Sequence, residues 1–246
     1  DPHGLLGTRT FLHPVVMSLA EFEHDVRFFE GAPQSVYSHQ FLDRGPGKLG
    51  FFFEVAPVHP MLAATIGMFT GGVLGDWLSR LPKLNAAIGL TVDGFQPEEQ
   101  GGTVRLRDGA YGRLSFKYPL GAANWEAFRE ANKELARIQF AAGAKRVMTL
   151  HAHGVELTSA DQVDKLDRAP WEPLRVRLAS AHQMGGCSMG KNPATSVVDP
   201  LLRFHTLDNL FVVDGSVLPT SLGVNPQQTI FGIARWAAGH VAAALG

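Results

Sequence analysis

Apolar and polar positions alternate most cleanly over Thr103-Val-Arg-Leu-Arg107 and again over Arg113-Leu-Ser-Phe-Lys-Tyr118, on either side of Asp108-Gly109. Period-two alternation flanking a turn dipeptide predicts an antiparallel hairpin. Leu49 to Val58 is a nearly unbroken apolar run with Phe51, Phe52 and Phe53 in a row, which predicts a buried strand. Ile88 to Asp93 predicts another strand, and Val36 to Phe41 a shorter one. Residues 61–82 carry a helical pattern weakened by the Gly71-Gly72 pair. Asn124 is placed to cap a further helix, with an apolar stripe through Phe128, Ala131, Leu135 and Ile138 and its end at Gly143. Residues 1–16, with Pro2, Gly4, Gly7 and Pro14, read as loop, as do Pro97 to Gly102 and most of 151–178. Strands and helices come in runs without βαβ alternation, so the predicted class is α+β. The chain shows no internal repeat and no low-complexity tract.

From Ser180 the texture changes. Leu210 to Val213 predicts a short strand ending in Asp214-Gly215. Ligands of open α/β sheets bind at the carboxyl ends of strands, so these two residues are candidates for a ligand edge. Gly215, without a Cβ, would let backbone approach the ligand closely. Asn225 reads as a helix N-cap, with Pro226 in the first turn and Ile230, Ile233, Ala234, Ala237 and Val241 as the buried stripe. The unpaired N–H groups at Gln227 and Gln228 would then stabilise negative charge on a ligand.

Composition narrows the classes. The formal net charge of -1 and the lack of a Lys/Arg cluster give no reason to expect nucleic acid. Cys187 is the only cysteine, so neither an intrachain disulfide nor a Cys-rich metal site is possible. No apolar run reaches the ~18 residues that suggest a membrane span. The sequence starts at Asp1 without a leader pattern and reads as cut from a longer polypeptide, which leaves its compartment open.

Other chemistries compete for the same residues. Gly186-Cys-Ser-Met-Gly190 matches the Gly-x-Ser-x-Gly elbow of serine hydrolases, and Asp214 and His240 follow Ser188 in a fitting order. The elbow needs a buried strand before Ser188 and a helix after it. Polar Ser180, His182 and Gln183 precede it, and Lys191-Asn192-Pro193 follows, which argues against that reading. His151-Ala-His153 would share one strand face, but no third ligand supports a metal, and none is expected. Cys187 reads as a packed thiol and Phe51 to Phe53 as core. The Met61, Met68 and Phe69 region stays undecided between core and pocket.

His182-x-x-Gly-x-Cys-x-Met-Gly190, then Val197-Val-Asp199, Asn209-Leu-Phe-Val-Val-Asp-Gly-Ser-Val-Leu-Pro219 and Gly223-Val-Asn-Pro226 before a terminal helix, occur in that order. Together they resemble the C-terminal signature of glucose–methanol–choline (GMC) oxidoreductases, in wording nearest the cholesterol oxidase and long-chain alcohol oxidase branch. Phe11-Leu-His-Pro14 and Glu30 to Ser38 also resemble the latter branch. The resemblance implies FAD-dependent oxidation of an alcohol, with hydride passing to the flavin N5. It makes His182 the acid/base and Asn225 the orienting partner, and puts Asp214, Gly215, Pro226, Gln227 and Gln228 against the flavin. It implies residues 1–16 as a linker, 17–178 as a substrate-binding domain of antiparallel sheet and helices, and 179–246 as a segment completing a Rossmann-like FAD domain. The family opens on a Gly-x-Gly-x-x-Gly fingerprint that grips the FAD pyrophosphate. No such fingerprint is read in residues 1–246, so the FAD-binding half is expected to be a missing N-terminal part or a partner chain. Three alternatives stay open: a non-catalytic subunit that needs this partner, the serine hydrolase, and the family's lyase branch.

Overall fold

The computed structural model describes residues 1–32, 34–56, 59–67, 71–92, 101–107 and 113–245. In chain order its strands are β1 (Thr10–Leu12), β2 (Val15–Glu21), β3 (Tyr37–Ser38), β4 (Phe51–Val55), β5 (Leu84–Thr91), β6 (Thr103–Leu106), β7 (Leu114–Lys117), β8 (Arg146–Thr149), β9 (Val155–Leu157) and β10 (Gln183–Gly185). The helices are α1 (Pro60–Gly67), α2 (Gly71–Arg80), α3 (Ala122–Ala141) and α4 (Gln227–Leu245). The class is mixed α/β with antiparallel sheets, as the pattern predicts. The chain forms two compact units, one from residues 14–91 and 122–179, the other from 1–13, 92–121 and 180–246.

The first unit is a six-stranded antiparallel sheet in the order β3-β4-β5-β2-β8-β9. Near its centre is β2, a strand that the sequence pattern did not foresee and whose first two residues fall in the segment read as loop. Val15, Leu19, Leu84, Ala86, Ile88, Leu90 and Phe52 form the core of one face. Ala20, Val147 and Leu157 form the other with Ala136 of α3. A strand covered on both faces is apolar at almost every position and loses the alternation that marks a half-exposed one. Phe51, Phe52 and Phe53 are 1%, 0% and 5% exposed, so all three rings are core. Each buried ring is worth about 1.5–3 kcal/mol.

Helix α3 starts at Ala122, so Asn124 lies inside its first turn instead of capping it. The buried face runs through Phe128, Ala131 and Leu135 as expected, but then continues to Gln139, while Ile138 is half exposed. From Leu135 the step of four returns to the sheet, and Ser18 Oγ donates to Gln139 Oε1 there at 2.7 Å. The Gly143 N–H bonds the Phe140 carbonyl and the Ala144 N–H reaches back to Gln139, which closes the helix where the sequence predicts. Of the helix expected over 61–82, the described residues form α1 and α2. Met68 and Phe69, like the Asp108-Gly109 turn, lie outside the described residues.

The Gly-x-Gly-x-x-Gly spacing does occur, at Gly45, Gly47 and Gly50, which corrects the reading that the chain lacks it. It runs directly into strand β4. No helix N-terminus follows to meet a pyrophosphate, so the string does not work as the dinucleotide fingerprint.

The second unit holds the two-stranded β1–β10 ladder, the β6–β7 hairpin and α4. The hairpin forms as predicted, and it belongs with this unit: Val104 N bonds Gly7 O at 2.7 Å, and Thr10 and Gly102 bridge. Leu210 to Val213 is not a ladder strand. Only an isolated bridge, Arg203 with Phe211, is formed there among the described residues, because the segment folds back on the 199–204 turn. Val197, Val198, Leu202, Val217 and Ala237 make the core beneath α4.

Candidate active site

The site starts from strand register. In the β1–β10 ladder Thr10 faces Gly185, Phe11 faces Met184 and Leu12 faces Gln183. The next pair in that register is His13 and His182. Met184 and Phe11 are buried with Leu218, and Leu222 and Ile233 pack on them. This small core ties the ladder to the 218–225 loop and to α4, and so draws three distant segments onto His182.

His13 is fully buried. Its Nδ1 lies 2.9 Å from His182 Nδ1, with the rings nearly perpendicular at 82°. Its Nε2 donates to the Leu222 carbonyl. Burial and the neighbouring His182 push the His13 pKa down to about 4, against the Leu222 bond, which raises it. On the other side of His182, Asn225 Nδ2 lies 3.5 Å from His182 Nε2. His182 and Asn225, named from the motif alone, are thus neighbours across 43 positions of sequence.

Asn225 is not the helix cap. The first helical bond runs from Ile230 N to the carbonyl of Pro226, so Pro226 holds the cap position and is buried. The amide of Asn225 is thereby released for His182. Gln227 and Gln228 are exposed in the first turn of α4, and their N–H groups precede the first helical bond. The stripe of α4 faces inward as expected, though only Ala237 is fully buried.

Asp214 caps a short 3-10 turn, Gly215–Val217, accepting from Ser216 N at 2.8 Å. A Cβ on Gly215 would stand 2.8 Å from the Gln183 carbonyl. The glycine therefore lets the turn close on β10, a requirement internal to the protein. Asp214 to Ser216 and Gly185 to Cys187 line one wall of a cavity of about 880 Å³, and Val104, Leu106, Leu114 and Phe116 of the hairpin line another. Burial pushes the Cys187 thiol up, as does Asp214, while a bond with Ser216 opposes it. That suits a packed thiol, not a nucleophile.

The competing sites do not assemble. Asp214 is engaged by Ser216, and His240 Nε2 has no hydrogen-bond partner and sits beside Trp236. Ser188 is buried and no helix follows it. His151 is buried against Trp171 with Nδ1 on Thr149 Oγ1 at 2.6 Å, and no metal-binding cluster exists among the described residues. Among them, too, no helix is long and apolar enough to cross a membrane.

His13 is the residue that sequence reasoning missed. A lone histidine before a proline carries no chemical signal, and its partner is made only by the strand register.

The family model described as GMC oxidoreductase matches residues 97–234, more than half of the chain. The chain is 28% identical to a long-chain-alcohol oxidase of Arabidopsis thaliana over 93% of its own length and 32% of that protein. It is 45% identical to a cholesterol oxidase of Acinetobacter baumannii over 64 residues, 26% of this chain and 12% of that protein. A formate oxidase of Aspergillus oryzae superposes with a TM-score of 0.68 at 16% identity, over 98% of this chain and 48% of that one. The chain thus spans about a third of the length of curated relatives that it matches along most of its own length. The chain belongs to the GMC oxidoreductase family, a family of FAD flavoproteins.

Proposed function

We propose that this chain, working with an FAD-binding portion, oxidises a hydrophobic alcohol to an aldehyde or ketone, with His182 as the acid/base. The observation that carries the reading is the convergence of an imidazole and an amide, His182 Nε2 and Asn225 Nδ2, at 3.5 Å. An imidazole, with an unperturbed pKa of about 6.5, is suited to take a hydroxyl proton near neutral pH. An amide cannot act as a base, but it donates and accepts hydrogen bonds and so holds the same oxygen in place. A substrate oxygen entering the long contact would meet both groups.

The residues present fit the flavin end of FAD. The cavity beside Asp214 and Gly215 joins an apolar wall to backbone polar groups, which suits a flat ring system with a polar edge. Asp214 and Gly215 line that cavity and would hold it there. Pro226, Gln227 and Gln228 do not line it and are carried over from the motif as flavin contacts, the first-turn N–H groups of α4 favouring negative charge at the helix start. When bound, FAD supplies the two-electron oxidant. The names of the alcohol and cholesterol oxidase relatives support a lipophilic substrate.

The test uses the full-length, flavin-loaded protein. A medium-chain alcohol added without oxygen should bleach the flavin bands, and His182→Ala should slow the bleaching by roughly 10²–10⁴-fold. Bleaching at the original rate in His182→Ala removes His182 from the role. Bands that no alcohol bleaches sink the redox reading. A second reading, a non-catalytic subunit, draws on the absence of a helix-borne fingerprint among the described residues. It predicts copurification with an FAD-binding chain and no loss of that chain's turnover in His182→Ala.

A further inference from the structure

We propose that His13 is a positioning residue that fixes the tautomer of His182, keeping Nδ1 protonated and leaving Nε2 as the proton acceptor beside Asn225. The inference rests on the reading of His182 as the group that handles the hydroxyl proton.

The argument is one of hydrogen-bond polarity. A peptide carbonyl can only accept, so the contact between His13 Nε2 and Leu222 O requires a proton on Nε2. His13 is fully buried and stays neutral well below neutral pH, so its Nδ1 bears a lone pair. That lone pair faces His182 Nδ1 at 2.9 Å. Two lone pairs at that distance would repel, so the proton between them sits on His182 Nδ1. A neutral His182 then has its lone pair on Nε2, the atom that Asn225 Nδ2 approaches as a donor. These side-chain contacts run one way: Asn225 to His182, His182 to His13, His13 to Leu222.

The opposite tautomer would set two acceptors against each other at Nδ1 and aim an N–H at the incoming hydroxyl, where a base is needed. When His182 takes a proton at Nε2, its Nδ1–H bond to His13 is unchanged; only the Asn225 amide, whose acceptor is then gone, must turn to the substrate oxygen. In hydrolase triads a carboxylate holds the base histidine in the required tautomer. Here a buried neutral ring does so, and it adds no charge beside the site.

The experiment needs the full-length, FAD-loaded protein with ¹⁵N-labelled histidine. Ring ¹⁵N–¹H correlations report which nitrogen of His182 is protonated, the His182 signals being those lost in His182→Ala. The expected result is protonation at Nδ1. Protonation at Nε2 overturns the proposal without any His13 variant. His13→Phe keeps the ring volume and removes the acceptor. It should lose the single tautomer and lower kcat by roughly 10- to 1000-fold while KM moves by less than about threefold. His13→Asn keeps an acceptor oxygen near the place of Nδ1 and should restore both the tautomer and most of kcat. A His13→Phe enzyme with the Nδ1 tautomer and full kcat overturns the inference, as does a His13→Asn enzyme that recovers neither. Full turnover in His182→Ala instead overturns the reading on which it rests.

Discussion

Gly185 shows how much of the site depends on one missing side chain. Its φ is +73°, and a Cβ there would stand 1.9 Å from the Arg9 carbonyl. An alanine must therefore displace β1 from β10, and it is that ladder which aligns His13 with His182. Gly185→Ala should cost about 2–4 kcal/mol in chemical denaturation. It should also lower kcat more than a remote change of equal stability cost. The two histidines illustrate what sequence does and does not carry at this scale. His182 and Asn225 were legible because they sit in a chain of motifs with fixed order and spacing. His13 was not, because its meaning comes from strand pairing. Asn225 was read as a cap, since Asn before Pro is a strong cap pattern. The fold gives the cap position to Pro226 and the amide to His182.

At the scale of elements, legibility followed exposure. The β6–β7 hairpin keeps one apolar and one polar face, so its alternation survives in the sequence. β2 does not, because both its faces are buried, and so no strand was read there, its first two residues falling in the segment read as loop. β8 and β9 are only four and three residues long, too short to show a period. What fixes such strands is tertiary. Glu21, at the end of β2, bonds Arg146 of β8 at 2.6 Å and also Arg80 of α2. Burial pushes its carboxyl up, but the two guanidinium groups outweigh that and hold it below the usual range. Glu21→Gln would leave two cations with weakened partners at a mostly buried strand end. The expected loss is about 1–2 kcal/mol, since bonds to charged groups are worth more than neutral ones. It should be read as a lower urea midpoint with unchanged m-value. An unchanged midpoint would mean that the hub is screened by solvent and contributes nothing.

At the scale of the whole molecule, each unit carries a buried histidine, and the pair sets the response to acid. His13 lies in the unit with the site, and burial, chief among its causes, lowers its pKa to about 4. His151 lies in the sheet unit, and burial lowers its pKa too. Above the ordinary histidine value near 6.5 both rings are neutral, folded or unfolded, and neither affects stability. As pH falls through that value the unfolded chain takes up protons that the folded chain refuses, so stability drops. For His13 the drop continues until its folded pKa near 4 is reached, and between pH 7 and pH 5 it amounts to about 2 kcal/mol. The ion-paired carboxylates respond lower down. Arg44 on Glu126 and Lys133 on Asp167 hold those carboxyls below their usual range, so their contribution is lost only as pH falls below about 4.5. The two windows therefore separate. Urea midpoints of the full-length protein should fall between pH 7 and pH 5 and fall again below 4.5. His151→Asn, which keeps an acceptor for Thr149 but cannot titrate, should reduce the fall in the upper window to the part that His13 contributes and leave the lower one unchanged. A midpoint constant from pH 7 to pH 5 would mean that both rings take up protons in the folded state. The hydrogen-bond polarity that runs from Asn225 to Leu222 would then fail in the same experiment, because it needs a neutral His13.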